Sequence, residues 1–228
     1  MEEKSEVVAR ALAYPYAIPD CSYALVDGRA ADIEAAEVEL ADRVPLLAYG
    51  SNAAPEVLAR KLAAAPDPVP MLRTDLRDFD VVYSAHVSRY GAVPATLRRS
   101  PGTEVRAFIA YLTGEQLRLV SATEPNYELA KLDRPSCTLA RGDVPAELNV
   151  YVSRHGCLSI ASGEVALAAI EAHGRVFPAM SQVEILEHVR HRLCPEESLA
   201  RFIALTAAHP DTAREHTRQL RETALPGV

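Results

Sequence analysis

The hydrophobic positions at the N-terminal end alternate between a helical spacing and a turn-rich interval. Apolar side chains in 7–12 recur at the three- and four-residue intervals of an amphipathic helix. Prolines within 14–19 end that pattern, because a proline has no amide hydrogen and restricts the residue before it. The segment 30–40, rich in Ala and Glu, is again compatible with a helix. We therefore predict two short helices around a turn-rich segment.

Short apolar runs bounded by turn residues fill the middle of the chain, and such runs are typical of strands. They lie at 45–49, 79–87, 93–97, 104–112, 127–132, 137–140, 148–153 and 157–160. Ser100-Pro101-Gly102 predicts a turn between two of them. One helix is expected to begin at Pro55, where a missing amide hydrogen costs nothing. Another follows Thr113, with Gln116 at the capping-box position.

From about residue 164 onward the pattern becomes helical. We predict helices at 165–173, 182–193, 199–208 and 211–223. Because strands crowd the middle and helices the end, the chain is predicted to be α+β, without alternating βαβ units. The apolar stripes of the last helices are long enough to pack on the sheet or on a second copy of the chain, so the sequence leaves a homodimer open.

Composition places the chain among ordinary globular proteins. Of its 228 residues, 49% are hydrophobic and 24% are charged, and this length can bury a core without disulfides or metals. The net charge of -7 lies entirely in the first 42 residues, which hold ten acidic and three basic side chains. The neutral remainder lacks the basic excess of a nucleic-acid-binding surface. We therefore predict no nucleic-acid partner.

The pattern predicts neither a membrane protein nor a secreted one. No apolar run approaches the roughly 20 residues of a membrane-spanning helix, and the N-terminus has no basic region followed by an apolar stretch. Cys21, Cys137, Cys157 and Cys194 are scattered without a C-x-x-C pair, which excludes a zinc site of the usual spacing. We expect a cytoplasmic protein with reduced thiols and no membrane partner.

One turn near the start of the strand-rich region carries the first functional hypothesis. The apolar run 45–49 ends at Gly50-Ser51-Asn52, and the helix at Pro55 follows. A strand, a tight turn and a helix start in this order can aim several backbone N–H groups at one point, which suits an oxyanion or a carboxylate. A plain strand-to-helix loop is the alternative interpretation.

The motifs after this turn give it a family context. After Tyr49-Gly50-Ser51-Asn52 come Gly91-Ala92-Val93-Pro94, then Pro101-Gly102-Thr103-Glu104-Val105, then Thr113-Gly114-Glu115-Gln116, then Glu124-Pro125-Asn126-Tyr127. In this order they resemble the gamma-glutamylcyclotransferase-like family, also called AIG2-like. The resemblance covers about residues 44–155. The acidic N-terminal segment and the C-terminal 65 residues lie outside it.

The resemblance implies a small, twisted, mostly antiparallel β-barrel with a cavity at one end. It also implies an enzyme that cyclises a gamma-glutamyl amide to 5-oxoproline and releases an amine or amino acid. Carried over to this chain, Tyr49, Gly50, Ser51 and Asn52 form the substrate-holding loop. Glu124 becomes the acid/base, and Tyr127 is a further substrate-binding residue. The resemblance implies no metal and no cofactor.

The chemistry of the reaction agrees with a single glutamate. The substrate's own α-amine attacks, so a carboxylate must take its proton and then return one to the leaving amine. The oxyanion needs preorganised N–H donors, which the turn could supply. Active members usually have an acidic residue and a Gly around this glutamate. Here the surroundings are Ala122-Thr123-Glu124-Pro125, with Glu128 nearby.

Other groups of polar residues offer weaker alternatives. His188 and His191, with Glu184 and Glu187, are spaced three and four residues apart on one helix, but a solvated helix face explains this spacing better than a metal site. Ser84 and His86 share a strand face without a third orienting group, and Cys157 is best explained as a small buried hydrophobe. Arg89 and Tyr90 precede a glycine turn and could meet a substrate carboxylate.

These observations define one prediction and its alternatives. We expect a single domain over 1–228, made of an acidic leader (1–43), a barrel core (44–160) and a helical extension (161–228). Its function is predicted as a cyclotransferase acting on a small gamma-glutamyl or similar amide. The alternatives are an amide hydrolase or acyltransferase using the same pocket, or a non-catalytic module that binds a small ligand.

Overall fold

A long antiparallel hairpin lies at the centre of the sheet. In the computed structural model, which describes residues 2–36, 38–139, 143–161 and 163–227, its two strands are Val69–Tyr83 (β4) and Ala95–Leu112 (β5). They pair from Met71 opposite Ala110 to Tyr83 opposite Ala95. The other strands are β1 Tyr23–Val26, β2 Arg29–Asp32, β3 Val44–Ala48, β6 Tyr127–Asp133, β7 Cys137–Leu139, β8 Glu147–Ser153, β9 Ser159–Ile160, β10 Gly163–Glu164, β11 Ala166–Leu167, β12 Ala172–His173 and β13 Ala179–Met180.

Helices lie at both ends of the chain and also after β3 and β5. They are α1 Glu2–Leu12, α2 Pro55–Lys61, α3 Gly114–Ala122, α4 Gln182–Leu193, α5 Leu199–Ala208 and α6 Pro210–Arg221. The helices predicted at 182–193 and 199–208 are confirmed, as is the capping box of Thr113 and Gln116. α2 begins with Pro55 at its first position, as predicted. No helix in the described ranges has the length and apolar character needed to cross a membrane.

The prediction of an α+β protein with a mostly antiparallel sheet is confirmed, but the sheet is not closed into a barrel. Its strand order is β13-β11-β4-β5-β3-β8-β6, with β3–β8 and β11–β13 parallel. Closure needs a continuous ladder along both edges of each strand. The outer edge of β4 is instead shared by three short strands, β1, β7 and β11. None of them spans the full length of β4.

Two predicted helices are strands in the structure. Within 30–40, the start of the segment forms β2, which pairs with β1 across a two-residue turn. That turn is Asp27-Gly28, with φ of 47° and 76°, and Asp-Gly is a strong hairpin signal. Within 165–173, β11 pairs with β4 and β13, and β12 pairs with β5. In both places, pairing with other strands outweighs helix propensity.

The predicted turn at Ser100-Pro101-Gly102 is also wrong. It lies inside β5, where Gly102 has φ of 82°, so residues 95–97 of the first run and all of the run 104–112 belong to one strand. The register of the β4–β5 hairpin shifts between Arg77 and Phe79, which is the mark of a bulge. The last residue of the strand predicted at 137–140 lies outside the described residues.

Both faces of the sheet carry a hydrophobic core. Because successive strand residues point to opposite faces, Leu47 of β3 belongs to one core, and its neighbours Leu46 and Ala48 belong to the other. The first core joins side chains from the leader, the sheet and the last helices, including Ala11, Tyr14, Val81, Ile109, Ile185, Phe202 and Leu220. The second lies under α2 and α3 and includes Leu58, Met71, Phe108 and Val120.

Candidate functional site

A cavity of about 500 Å³ opens where β3 ends. Its wall is built from the turn after β3, the last turn of α2, the segment 122–127, the leader and the loop between β4 and β5. All six residues that the sequence assigned to a site border this one cavity: Tyr49, Gly50, Ser51, Asn52, Glu124 and Tyr127. Their roles in binding and catalysis stay predictions.

The turn Gly50-Ser51-Asn52 presents three backbone N–H groups that no described residue accepts from. A single 3₁₀ turn over Ser51–Ala53 follows β3, and the carbonyls of Gly50 and Ser51 accept from the amides of Ala53 and Ala54. Within the described residues, the amides of Gly50, Ser51 and Asn52 donate no hydrogen bond, as expected for the first donors of a helical turn. These groups could hold an anion.

Glu124 is held in place by two neighbours that the turn and α2 provide. Asn52 Nδ2 donates to Glu124 Oε1 over 3.0 Å, and Lys61 Nζ donates to the same oxygen over 2.6 Å. Lys61 Nζ also donates to Asn52 Oδ1 over 2.7 Å, which closes a triangle of polar groups. The second carboxylate oxygen, Oε2, has no partner in the described part of the chain. It is the atom available to a substrate.

Lys61 is one of the site residues that sequence reasoning missed. Its side chain is 13% exposed and that of Glu124 is 12%, so the ion pair is largely withdrawn from water. Lys61 follows the buried Val57 by four residues and therefore lies on the inner face of α2. A lysine on the buried face of a helix needs a counter-charge. This signal could have drawn attention to Lys61.

The tyrosine hydroxyl groups at the site mainly support the wall. Tyr49 donates to the carbonyl of Tyr151, and Tyr127 donates to the carbonyl of Ala95 over 2.8 Å. Burial raises the pKa of both phenols well above the usual range, so neither serves as a base. Both hydroxyl oxygens can still accept a hydrogen bond, while their protons are used by these carbonyls.

The acidic leader contributes to the cavity wall. Tyr14 is 5% exposed, and its hydroxyl accepts from the amide of Ala95 over 2.9 Å. The same hydroxyl lies over Gly50, where a Cβ would come within 2.9 Å of it, so only glycine fits without a shift. Tyr16 and Arg10 border the cavity beside it.

The rim of the cavity carries an excess of positive charge. Arg10, Arg60 and Arg89 border the cavity, and none pairs with a carboxylate of the described residues. Arg10 lies 4.9 Å from the centre of the Tyr90 ring, in a cation–π contact. Among the described residues that line the cavity, Glu124 is the only acidic one, and Lys61 offsets its charge. An anionic ligand fits this rim.

His86 lies at the cavity, but its partners do not make a serine nucleophile. Ser84 Oγ lies 2.6 Å from His86 Nδ1 and 2.6 Å from Ser153 Oγ. Burial lowers the pKa of His86 to about 3, so the ring is neutral at pH 7. Ser84 is fully buried and does not line the cavity.

The remaining candidates have structural contacts. Cys157 is buried, and burial raises the pKa of its thiol to about 11, so it is not a nucleophile at neutral pH. On α4, Glu184 caps the helix through Ser181, and Glu187 pairs with Arg190. In the described ranges, no group of three or more His, Cys, Asp or Glu side chains could hold a metal.

Comparison with known proteins does not assign the chain to a family. No family model and no curated protein matches it. Among solved structures, a gamma-glutamyl cyclotransferase superposes with a TM-score of 0.39 at 14% identity, over 80% of this chain and 88% of that one. An uncharacterized protein from Homo sapiens superposes with a TM-score of 0.38 at 14% identity, over 81% and 89%. At these scores the likeness carries no conclusion about this chain.

Proposed function

We propose that this chain is a gamma-glutamyl cyclotransferase-type enzyme, which converts a gamma-glutamyl amide to 5-oxoproline and a free amine or amino acid. The observation that carries the proposal is the position of Glu124. One of its oxygens is held by Asn52 and Lys61, whereas the other oxygen and the amides of Gly50–Asn52, which border the same cavity, have no hydrogen-bond partner among the described residues. A proton-transfer group beside preorganised N–H donors is what this reaction requires.

The reaction then follows from the roles of these groups. Glu124 Oε2 takes a proton from the substrate's α-amine, whose nitrogen attacks the γ-carbonyl carbon. The new C–N bond closes the five-membered ring, and the negative charge on the former carbonyl oxygen is stabilised by the N–H groups of the turn. The amide C–N bond breaks as Glu124 returns its proton to the leaving nitrogen. Asn52 and Lys61 keep the carboxylate oriented through both transfers.

The rim supports a substrate that carries more than one negative charge. Arg10, Arg60 and Arg89 border the cavity opening, and such a cluster attracts anions while the chain as a whole carries -7. A gamma-glutamyl amino acid has a carboxylate on the leaving part, whereas a gamma-glutamyl amine does not. We expect a lower KM for the amino-acid conjugates, and a difference that shrinks as salt is added.

Product analysis tests the proposal. The purified protein is incubated with a panel of gamma-glutamyl amino acids and gamma-glutamyl amines, and the products are identified by mass spectrometry. Release of 5-oxoproline supports cyclisation. Free glutamate would identify a hydrolase, and tight binding without turnover would identify a binding module.

A matched pair of variants connects the activity to the site. Glu124→Gln is expected to abolish most turnover. Glu128→Gln is the control, because Glu128 is exposed on β6 and does not border the cavity. Loss of activity in the control alone, or in neither variant, contradicts the assignment of Glu124.

A further inference from the structure

A series of hydrogen bonds between buried hydroxyl groups ends at the ring of His86. His86 is 1% exposed, borders the cavity, and presents Nδ1 to Ser84 Oγ. Ser84 Oγ contacts Ser153 Oγ, which accepts from the backbone N–H of His155 over 3.0 Å. The other ring nitrogen, Nε2 of His86, has no hydrogen-bond partner among the residues that the structure describes. It is the polar atom that the ring can offer to a ligand.

Counting the protons along this series of hydrogen bonds selects one tautomer of the His86 ring. If Ser153 donates to Ser84 and Ser84 donates to His86 Nδ1, both hydroxyl protons are used and the ring proton resides on Nε2. In the reverse direction, His86 donates to Ser84 and Ser84 to Ser153, and the Ser153 proton then has no acceptor within the described part of the protein. An unmade hydrogen bond of a buried hydroxyl is unfavourable. Histidine tautomers are assigned from the hydrogen-bond network. This network favours the tautomer of His86 with its proton on Nε2.

We propose that His86 is a neutral hydrogen-bond donor that binds an oxygen of the substrate through Nε2–H. The proposal rests on the proposed function, because it takes the ligand of the cavity to be the gamma-glutamyl substrate. A neutral donor suits a site beside Glu124 and Lys61, because it polarises an oxygen without adding a charge to that pair. Asn126, which also borders the cavity, interacts through Oδ1 with His155 Nε2 over 3.2 Å and supports the neighbouring ring.

Nitrogen-15 NMR of the histidine rings tests the donor state without any substrate. The signals of His86 are assigned by their loss in His86→Asn. At pH 7 we expect a protonated Nε2 and an unprotonated Nδ1. Ser84→Ala removes the hydroxyl that donates to Nδ1, so we expect the tautomer with its proton on Nδ1 to become populated in that variant. A wild-type ring with its proton on Nδ1, or a charged ring, overturns the proposal.

Two variants of His86 test the contact with substrate. The amide of Gln places an N–H near the position of Nε2, whereas the shorter Asn places its polar atoms near Nδ1 and keeps the contact with Ser84. We expect His86→Asn to lower kcat/KM by about 10- to 100-fold, and His86→Gln to stay within about threefold of wild type. Equal losses in both variants, or losses in thermal stability alone, overturn the donor role.

The two readouts separate this proposal from the one on which it rests. If no gamma-glutamyl compound is turned over, the proposed function fails, while the NMR result still decides the tautomer and hence the donor. If turnover is found and depends on Glu124 while the two His86 variants are equally active, the function stands and the donor role of His86 is wrong.

Discussion

The ion pair between Lys61 and Glu124 makes the effect of Glu124→Gln on activity separable from its effect on stability. The introduced amide keeps the shape of the side chain and can still accept from Asn52 Nδ2 at the same position. It cannot accept and return a proton, so turnover should fall by about two to four orders of magnitude. The substitution also leaves the Lys61 ammonium, 13% exposed, without its counter-ion.

The cost in stability follows from the burial of the pair. Removing one partner of a fully buried ion pair destabilises a protein by about 3–5 kcal/mol. Both side chains here are partly accessible, at 12% and 13%, and neutral hydrogen bonds to the introduced amide would remain. We therefore expect a loss of about 1–3 kcal/mol in the free energy of unfolding. For a chain of this length that corresponds to a fall in Tm of roughly 3–10 °C.

A double variant tests the reasoning. Lys61→Met replaces the ammonium by an apolar group of similar length, so the combination with Glu124→Gln removes both charges. We expect the double variant to recover most of the stability lost in Glu124→Gln, as measured by urea unfolding, and none of the turnover. Recovery of turnover would show that Glu124 is not the proton-transfer group. Additive losses of stability would show that the pair is not coupled in the folded protein.

Three further predictions concern the stability of the fold. Gly50→Ala should lower the free energy of unfolding by about 1–3 kcal/mol in urea titrations, because its Cβ would meet the Tyr14 hydroxyl at 2.9 Å. Arg175→Met should cost about 3–5 kcal/mol in the same assay, because it leaves the fully buried Asp80 carboxylate without its bidentate partner. Stability should also fall as the pH drops from about 6.5 toward 3. Burial holds the folded-state pKa of His86 at about 3, so the unfolded chain binds the extra proton in this window, at about 1.4 kcal/mol per pH unit; unfolding in His86→Gln should depend less steeply on pH.

Local signals predicted the elements that depend on neighbouring residues. The capping boxes of α3 and α4 use a side chain and a backbone amide three residues apart, so the pairing of Thr113 with Gln116 is visible in the sequence. The two segments wrongly predicted to be helices also have a physical explanation. Asp27-Gly28 is a hairpin signal that the apparent helix at 30–40 concealed, and the pairing of β11 depends on strands far away in the sequence.

The features of the site can be separated in the same way, into those visible in the sequence and those that depend on tertiary contacts. The sequence by itself determined the turn Gly50-Ser51-Asn52 and the candidate Glu124, because each belongs to a short motif whose order along the chain is visible. Only the tertiary structure decided that Lys61 is the counter-ion of Glu124 and that Tyr14 from the leader covers Gly50. It also decided that the sheet stays open. Contacts of this kind join residues tens of positions apart, and their energies depend on distance and burial, which no local spacing encodes.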